Sequence, residues 1–333
     1  MKQPTAFERG AAVISIDTEQ IWGHFDLMNE QQFEKRYPRA SEVHDRLLEL
    51  LSAEGIAATW TIVGMLSLPG SKGQYDARLA GLPGYWTRKI PDGNEHTKPL
   101  WYNRSFIERL RRARVPQDIG LHGGISHLVW GDSRTTPLIA ARELRAGIQA
   151  LNELGIRPVS FVFPRDLEAH LPVLRDGGIY AYRGRTPIIS ERFGYGKFSS
   201  LVRTGEELLK AVPRVLWPVE TLPGLWNLPA SMFIYNLGKT RSRFVAPRLR
   251  VERTQIGLTA AAAQRGVFHL GLHPENLAGS NFALSVFQQM IHQICRHRDR
   301  NGLEVLTLTG AVDRVAGREP VGELAGARER SGL

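Results

Sequence analysis

Three short stretches of this 333-residue chain place acid–base and metal-ligating side chains where apolar, strand-like runs end. In "SIDTEQIWG", Asp17 and Glu19 are two residues apart, so an extended backbone turns both carboxylates the same way. Two carboxylates in one small space repel unless a cation or a shared proton offsets them. In "DIGLHGGISH", His122 and His127 stand five residues apart across Gly123 and Gly124, and paired glycines let a backbone curl until both rings reach one point. Two imidazole nitrogens and one carboxylate oxygen are the ligands a catalytic zinc or similar divalent ion takes, with a position left for water. In "FHLGLHPENL", His273 ends its run just before Pro274 and can protonate a leaving group, while His269, at even offset, can line the same cavity in support. Any one of these histidines alone reads better as a satisfied core or capping residue. Their coupling to Asp17 and Glu19 favours a site.

A scaffold must carry these residues. Runs rich in β-branched and aromatic residues recur at 11–16, 56–64, 158–164, 178–184, 266–273 and 303–310, with a shorter one at 118–121. Helical patterns lie between several of them. Ser41 precedes "EVHDRLLELLSAEG", where Val43, Leu47, Leu50 and Leu51 share a face and Gly55 closes the segment. Pro137 opens a helix whose stripe is Leu144, Ile148 and Leu151 and whose end is Gly155. Thr204 and Glu207 have capping-box spacing. Ser280 starts a helix that buries Phe287, Met290, Ile291 and Ile294. Seven or eight strand-then-helix units without an evident linker predict an α/β chain folded as a (β/α) barrel. One domain over residues 1–310 is expected. Residues 67–103 form a turn-rich insertion over the active face, and 311–333 a loose helix or tail.

Bulk composition narrows the classes. With 42% hydrophobic residues the chain can bury a large core. The lone Cys295 excludes a disulfide framework and a thiolate metal cluster, which suits the cytoplasm. No run is long enough for a signal h-region or a spanning helix. Forty-three Lys and Arg against 33 Asp and Glu give a net charge of +10, a field that favours anionic partners.

Taken in order, "ISIDTEQIWG", "GIAATWTIVG", "DIGLHGGISH", "SFVFPRD" and "FHLGLHPENL" resemble the successive motifs of the polysaccharide deacetylase family, also called the NodB-homology or carbohydrate esterase 4 group. The resemblance spans roughly residues 10 to 310. It implies a distorted (β/α)7–8 barrel that uses a divalent metal, generally zinc, to remove acyl groups, mostly N-acetyl, from amino sugars. By this resemblance Asp17 is the catalytic base, His122 and His127 are the metal histidines and His273 is the general acid. Arg165, after Phe163 and Pro164, falls where the family has an arginine that steadies the base, and Arg183 in "YAYRG" is a second choice for that work. The chain departs from the family twice. Adjacent aspartates are replaced by Asp17, Thr18, Glu19, closer to subfamilies with a D-x-E first motif, and the histidine spacing is five instead of four. Glu19 then takes the metal role, or Asp17 binds metal and Glu19 is the base.

The expected substrate is an amino sugar, and a phosphate-bearing or lipid-linked one fits the basic run Lys239, Arg241, Arg243, Arg248, Arg250 and Arg253. A solvated basic face is the competing interpretation of that run. Trp22, Trp86, Trp101, Trp130, Trp217 and Trp226 are the rings available for sugar stacking or packing. Nucleic acid is not an expected partner, because no reading motif accompanies the basic residues. Three other readings stand beside the deacetylase: a non-catalytic sugar- or nucleic-acid-binding barrel, an O-deacetylase and a cyclic amidase.

Overall fold

A computed structural model describes residues 7–185, 213–235, 247–279 and 281–318. Its strands in chain order are β1 (Ala11–Thr18), β2 (Thr59–Ile62), β3 (Gly70–Lys72), β4 (Asp92–Asn94), β5 (Asp118–His122) and β6 (Ser160–Val162), then β7 (Ala181–Arg183), β8 (Val219–Leu222), β9 (Leu225–Asn227), β10 (Met232–Ile234), β11 (Val267–Leu272) and β12 (Glu304–Leu306). Every residue of β1 is buried, as a central strand of a parallel sheet covered on both faces requires. Its parallel neighbours are β11 on one side and, along Ser15–Thr18, β2 on the other. The lower half of β1, which β2 does not reach, pairs with β12.

From β2 the sheet continues through β5, β6 and β7 to the antiparallel pair β9–β8, and on the far side β11 pairs with β10. This is an α/β fold with a curled, open mixed sheet flanked by helices, a half-barrel in keeping with the distorted barrel expected from the sequence. All seven strand-like runs contain strands. The hairpin β3–β4 in the insertion and the short β8, β9 and β10 were not anticipated, because three- and four-residue strands carry too little periodicity to stand out.

The helices mostly follow their caps. Thr136 accepts from Ile139 N at the start of Pro137–Asn152, and Gly155 closes the segment at φ +68°. The helix Ala40–Ala53 begins ahead of Ser41, with Arg39 in the capping position and no side-chain cap, so the serine does not start it. Phe287, Met290, Ile291 and Ile294 of Asn281–Asn301 are all buried. Leu308–Ala316 forms a helix capped by Thr307, with Leu308, Ala311 and Val312 in a small core against β1 and β11. Thr204, Glu207, Ser280, Lys239, Arg241 and Arg243 lie outside the described residues. Arg248, Arg250 and Arg253 belong to the helix Pro247–Gln264, and Arg253 is buried. No helix among the described residues is long and apolar enough to cross a membrane.

One crossing positions the loop after β5. Gly64 N donates to Gly124 O at 2.7 Å, Met65 N to Ile125 O at 2.9 Å, and Ile125 N to Glu143 O at 3.1 Å. Three backbones meet there because Gly64, Gly124 and Gly147 lack side chains. A Cβ on Gly147 would lie 2.6 Å from the Gly124 carbonyl carbon. Overpacking of this kind costs about 1–3 kcal/mol. Gly147→Val is therefore expected to lower the urea midpoint by that amount of stability, and an unchanged midpoint would show that the crossing is looser than its backbone contacts imply.

Candidate metal centre

The site grows from the ends of β1, β5, β7 and β11. Ser15, Asp17 and Glu19 alternate along one side of β1 and its extension, and all three are buried. Beyond Glu19 the chain turns through a 3-10 segment, Gln20–Gly23. Gly23 leaves room for the Glu19 carboxylate, which a Cβ there would displace from where it stands.

His122 is the last residue of β5, and its Nδ1 lies 3.1 Å from Val162 O of β6. A carbonyl only accepts, so Nδ1 carries the proton and Nε2 is left for the site. The chain then curls through Gly123 (φ +86°), Gly124 (φ +133°) and left-handed His127 (φ +59°). A Cβ on Gly123 would stand 2.6 Å from Pro164 and 3.0 Å from the His127 Cα. The glycine thus allows a five-residue spacing to bring both rings together, with centroids 4.6 Å apart. Glu143, unnoticed in the sequence, anchors this curl from the helix beneath: its carboxylate accepts from Ser126 N at 2.7 Å and Leu128 N at 3.2 Å, the two residues flanking His127.

Glu19 Oε2 lies 3.1 Å from His122 Nε2 and 3.0 Å from His127 Nε2. His127 makes no well-formed hydrogen bond through either ring nitrogen among the described residues, although it is buried. A buried imidazole whose Nε2 faces a carboxylate shared with a second imidazole is an arrangement that a divalent cation satisfies. Glu19, His122 and His127 offer ligand atoms within 4.8 Å of one another, as do Asp17, His122 and His273. Only the Nε2 of His122 is available to either set, so the two compete for it.

Arg183 separates the carboxylates. Its Nη1 donates to Asp17 Oδ1 at 2.9 Å and its Nη2 to Oδ2 at 2.6 Å, and Thr61 Oγ1 donates to Oδ1 at 3.2 Å. Asp17 thus has a fixed cation of its own, whereas the ion-pair partners of Glu19 among the described residues are imidazoles. Burial pushes the Asp17 carboxyl up, but Arg183 and then His122 and His273 outweigh it and leave the group below its ordinary value. Burial likewise acts against an ionised Glu19, and the surrounding histidines hold it well below the usual carboxylate range. His273, about a third exposed, places Nε2 3.5 Å from both Asp17 Oδ2 and Glu19 Oε1, with Phe233 edge-on at 5.0 Å.

Asp17, Glu19, His122, His127 and His273 thus converge. Arg165 does not join them on Asp17. Left-handed at φ 59°, it turns its Nη2 to Asp26 at 2.6 and 2.7 Å, and the guanidinium on Asp17 is that of Arg183. Asp166, which sequence reasoning missed, lies 3.9 Å from Arg183. Trp22, Trp86, Trp101 and Trp130 are buried in the core, so these four pack and do not present faces to a ligand. Trp22 Nε1 donates to Trp101 O at 3.0 Å, tying the 67–103 insertion to the loop after β1.

No protein-family model and no curated protein matches the chain. Solved structures do. A Mycobacterium smegmatis protein provisionally designated a polysaccharide deacetylase matches with a TM-score of 0.60 at 16% identity, over 96% of this chain and 95% of that one. Puue allantoinase matches with a TM-score of 0.61 at 12% identity, over 95% and 93%. The 4-alpha-glucanotransferase of Thermococcus litoralis gives 0.55 at 13% identity, over 92% of this chain and 40% of that one. The likeness is one of fold. In the first two it extends over nearly the whole of both chains.

The two clustered imidazoles titrate in opposite directions. Burial lowers His127 to about 4 against the pull of Glu19, so it is neutral near pH 7. Burial also disfavours charged His122, but Glu19 and Asp17 outweigh it and raise the ring above its ordinary 6.5. A metal ion must displace that proton. Metal binding near neutral pH is therefore expected to release a proton and to weaken as pH falls through the His122 range. Calorimetry in buffers of different ionisation enthalpy reads this directly, and a buffer-independent enthalpy would contradict it.

Proposed function

We propose that the protein is a metal-dependent hydrolase that removes an N-acyl group, N-acetyl in the first instance, from an amino sugar. The observation that carries the reading is the division of the two carboxylates: Glu19 stands with His122 and His127, while Asp17 is clamped by Arg183 and faced by His273. Glu19, His122 and His127 would hold the ion, for which zinc suits two imidazoles and one carboxylate. A bound divalent ion supplies Lewis acidity to a carbonyl and makes water acidic enough to attack near neutral pH.

The chain's own groups supply the rest. Asp17 is ionised and oriented, and it takes the proton of the attacking water at Oδ2, the oxygen on the His273 side. His273, whose Nε2 stands 3.5 Å from both Asp17 Oδ2 and Glu19 Oε1, gives its proton to the departing amine. Arg183 keeps Asp17 in register and offsets its charge throughout, which makes it the positioning arginine in place of Arg165.

The net charge of +10 and Arg248 and Arg250 on the helix Pro247–Gln264 support a phosphate-bearing amino sugar, either nucleotide-activated or lipid-linked. A lone cysteine supports action in the cytoplasm. Residues 1–310, together with the helix Leu308–Ala316 that packs against β1 and β11, would then act as one catalytic unit, with 67–103 setting access. The fold shared with an allantoinase makes a cyclic amide the second substrate class to assay.

Acetate release from a panel of N-acetylated sugar nucleotides and chitooligosaccharides, with and without zinc, tests the reading. His273→Ala is expected to keep its metal and lose turnover by ~10²-fold or more, whereas His122→Ala loses the metal. Equal metal loss in both variants would contradict the assigned roles. Turnover of allantoin in place of every amino-sugar probe would move the substrate to the cyclic amide class.

A further inference from the structure

Ser15 and His269 have no part in the reaction above, yet both are fully enclosed polar side chains next to it. Ser15 shares a side of β1 with Asp17 and lies opposite Gly271 of β11. A Cβ at 271 would press on Phe233 at 2.7 Å and approach Arg183 Nη1 to 3.4 Å. Without one, the guanidinium crosses to Ser15 and donates from Nη1 to its Oγ at 2.8 Å. On the other side of the same hydroxyl stands His269 Nε2, also at 2.8 Å.

The direction of each bond follows from the last pair of contacts. His269 Nδ1 lies 3.1 Å from Leu228 O and 3.0 Å from Pro229 O. Carbonyls cannot donate, so Nδ1 carries the ring proton. Burial and then the Arg183 charge push this imidazole down to about 3, which leaves Nε2 a bare lone pair. The Ser15 hydroxyl must donate to it. That fixes a rotor that is otherwise free and turns the Ser15 lone pairs toward Arg183.

We propose that Ser15 and His269 are positioning residues: a hydrogen-bond chain from Arg183 through Ser15 and His269 to the Leu228 and Pro229 carbonyls fixes the plane of the guanidinium that holds Asp17. A guanidinium anchored by one carboxylate can rock with it. A second acceptor on Nη1, locked by a neutral ring whose own proton is committed elsewhere, removes that freedom. The catalytic consequence rests on the reading of Asp17 as base, whereas the chain itself does not.

The test uses zinc-loaded protein labelled with nitrogen-15 at arginine and histidine, with acetate release from UDP-N-acetylglucosamine and tetra-N-acetylchitotetraose as the activity probe. Wild type is expected to show His269 as the Nδ1-protonated tautomer across the ordinary histidine range, with slowly exchanging Arg183 Nη protons. Ser15→Ala should speed that exchange by up to about tenfold, the loss of one hydrogen bond. It should also lower kcat by about 10- to 100-fold with KM and zinc content unchanged. Ser15→Thr, which keeps the hydroxyl, should restore both. A proton on Nε2 of His269, or Arg183 exchange in Ser15→Ala equal to wild type, would overturn the proposal. If wild type shows the tautomer and the slow exchange but turns over neither probe, the amino-sugar reading fails while the hydrogen-bond chain holds.

Discussion

A buried carboxylate between two imidazoles is the feature on which this molecule turns. Glu19 is 5% exposed and has His122 and His127 at 3.0 to 3.1 Å, but no guanidinium or ammonium in an ion pair with it among the described residues. A carboxylate so placed is expensive unless a cation accompanies it. The neighbouring Asp17 has already taken the fixed cation, Arg183. One carboxylate is thereby paired with a guanidinium and the other with imidazoles that could share an ion with it, so two acids two residues apart can do different work.

The surrounding backbone is shaped to hold that arrangement. Gly23 leaves room for the Glu19 carboxylate, and Gly123 lets His127 fold back against the end of its own strand. Every non-glycine residue described with positive φ, apart from Arg265, belongs to a loop after β1, β5 or β6: Gln20, His127, Arg165, Asp166 and His170. Left-handed backbone at such residues costs energy and persists where surrounding contacts enforce it. Here the enforcing contacts include Glu143 below His127 and Asp26 on Arg165. Deep in the sheet, Ser15 and His269 extend the same logic to the clamp on Asp17.

Much of this was legible in the sequence, because parallel strands advertise themselves as apolar runs and polar residues at their ends stand out against them. Asp17, Glu19, His122, His127 and His273 were visible that way, and the five-residue histidine spacing already implied a bulged turn at its glycines. The choice between Arg165 and Arg183 was not legible. It depends on where each backbone points its side chain, and Arg165 lies in a left-handed turn while Arg183 ends β7 facing inward. Glu143 was hidden for another reason: on a helix, a charged residue reads as solvated until the loop it anchors is known. The tryptophans can stack or pack in a linear sequence, and burial shows Trp22, Trp86, Trp101 and Trp130 to be core.

The division of labour between the two carboxylates is the claim to test. Cobalt(II), whose visible absorption reports its ligands, can be titrated into wild type, Glu19→Gln and Asp17→Asn protein. The account predicts binding of about one equivalent with a tetrahedral-type spectrum, retained in Asp17→Asn and lost or strongly weakened in Glu19→Gln. Tight binding that survives removal of the Glu19 carboxylate and disappears with that of Asp17 would contradict it.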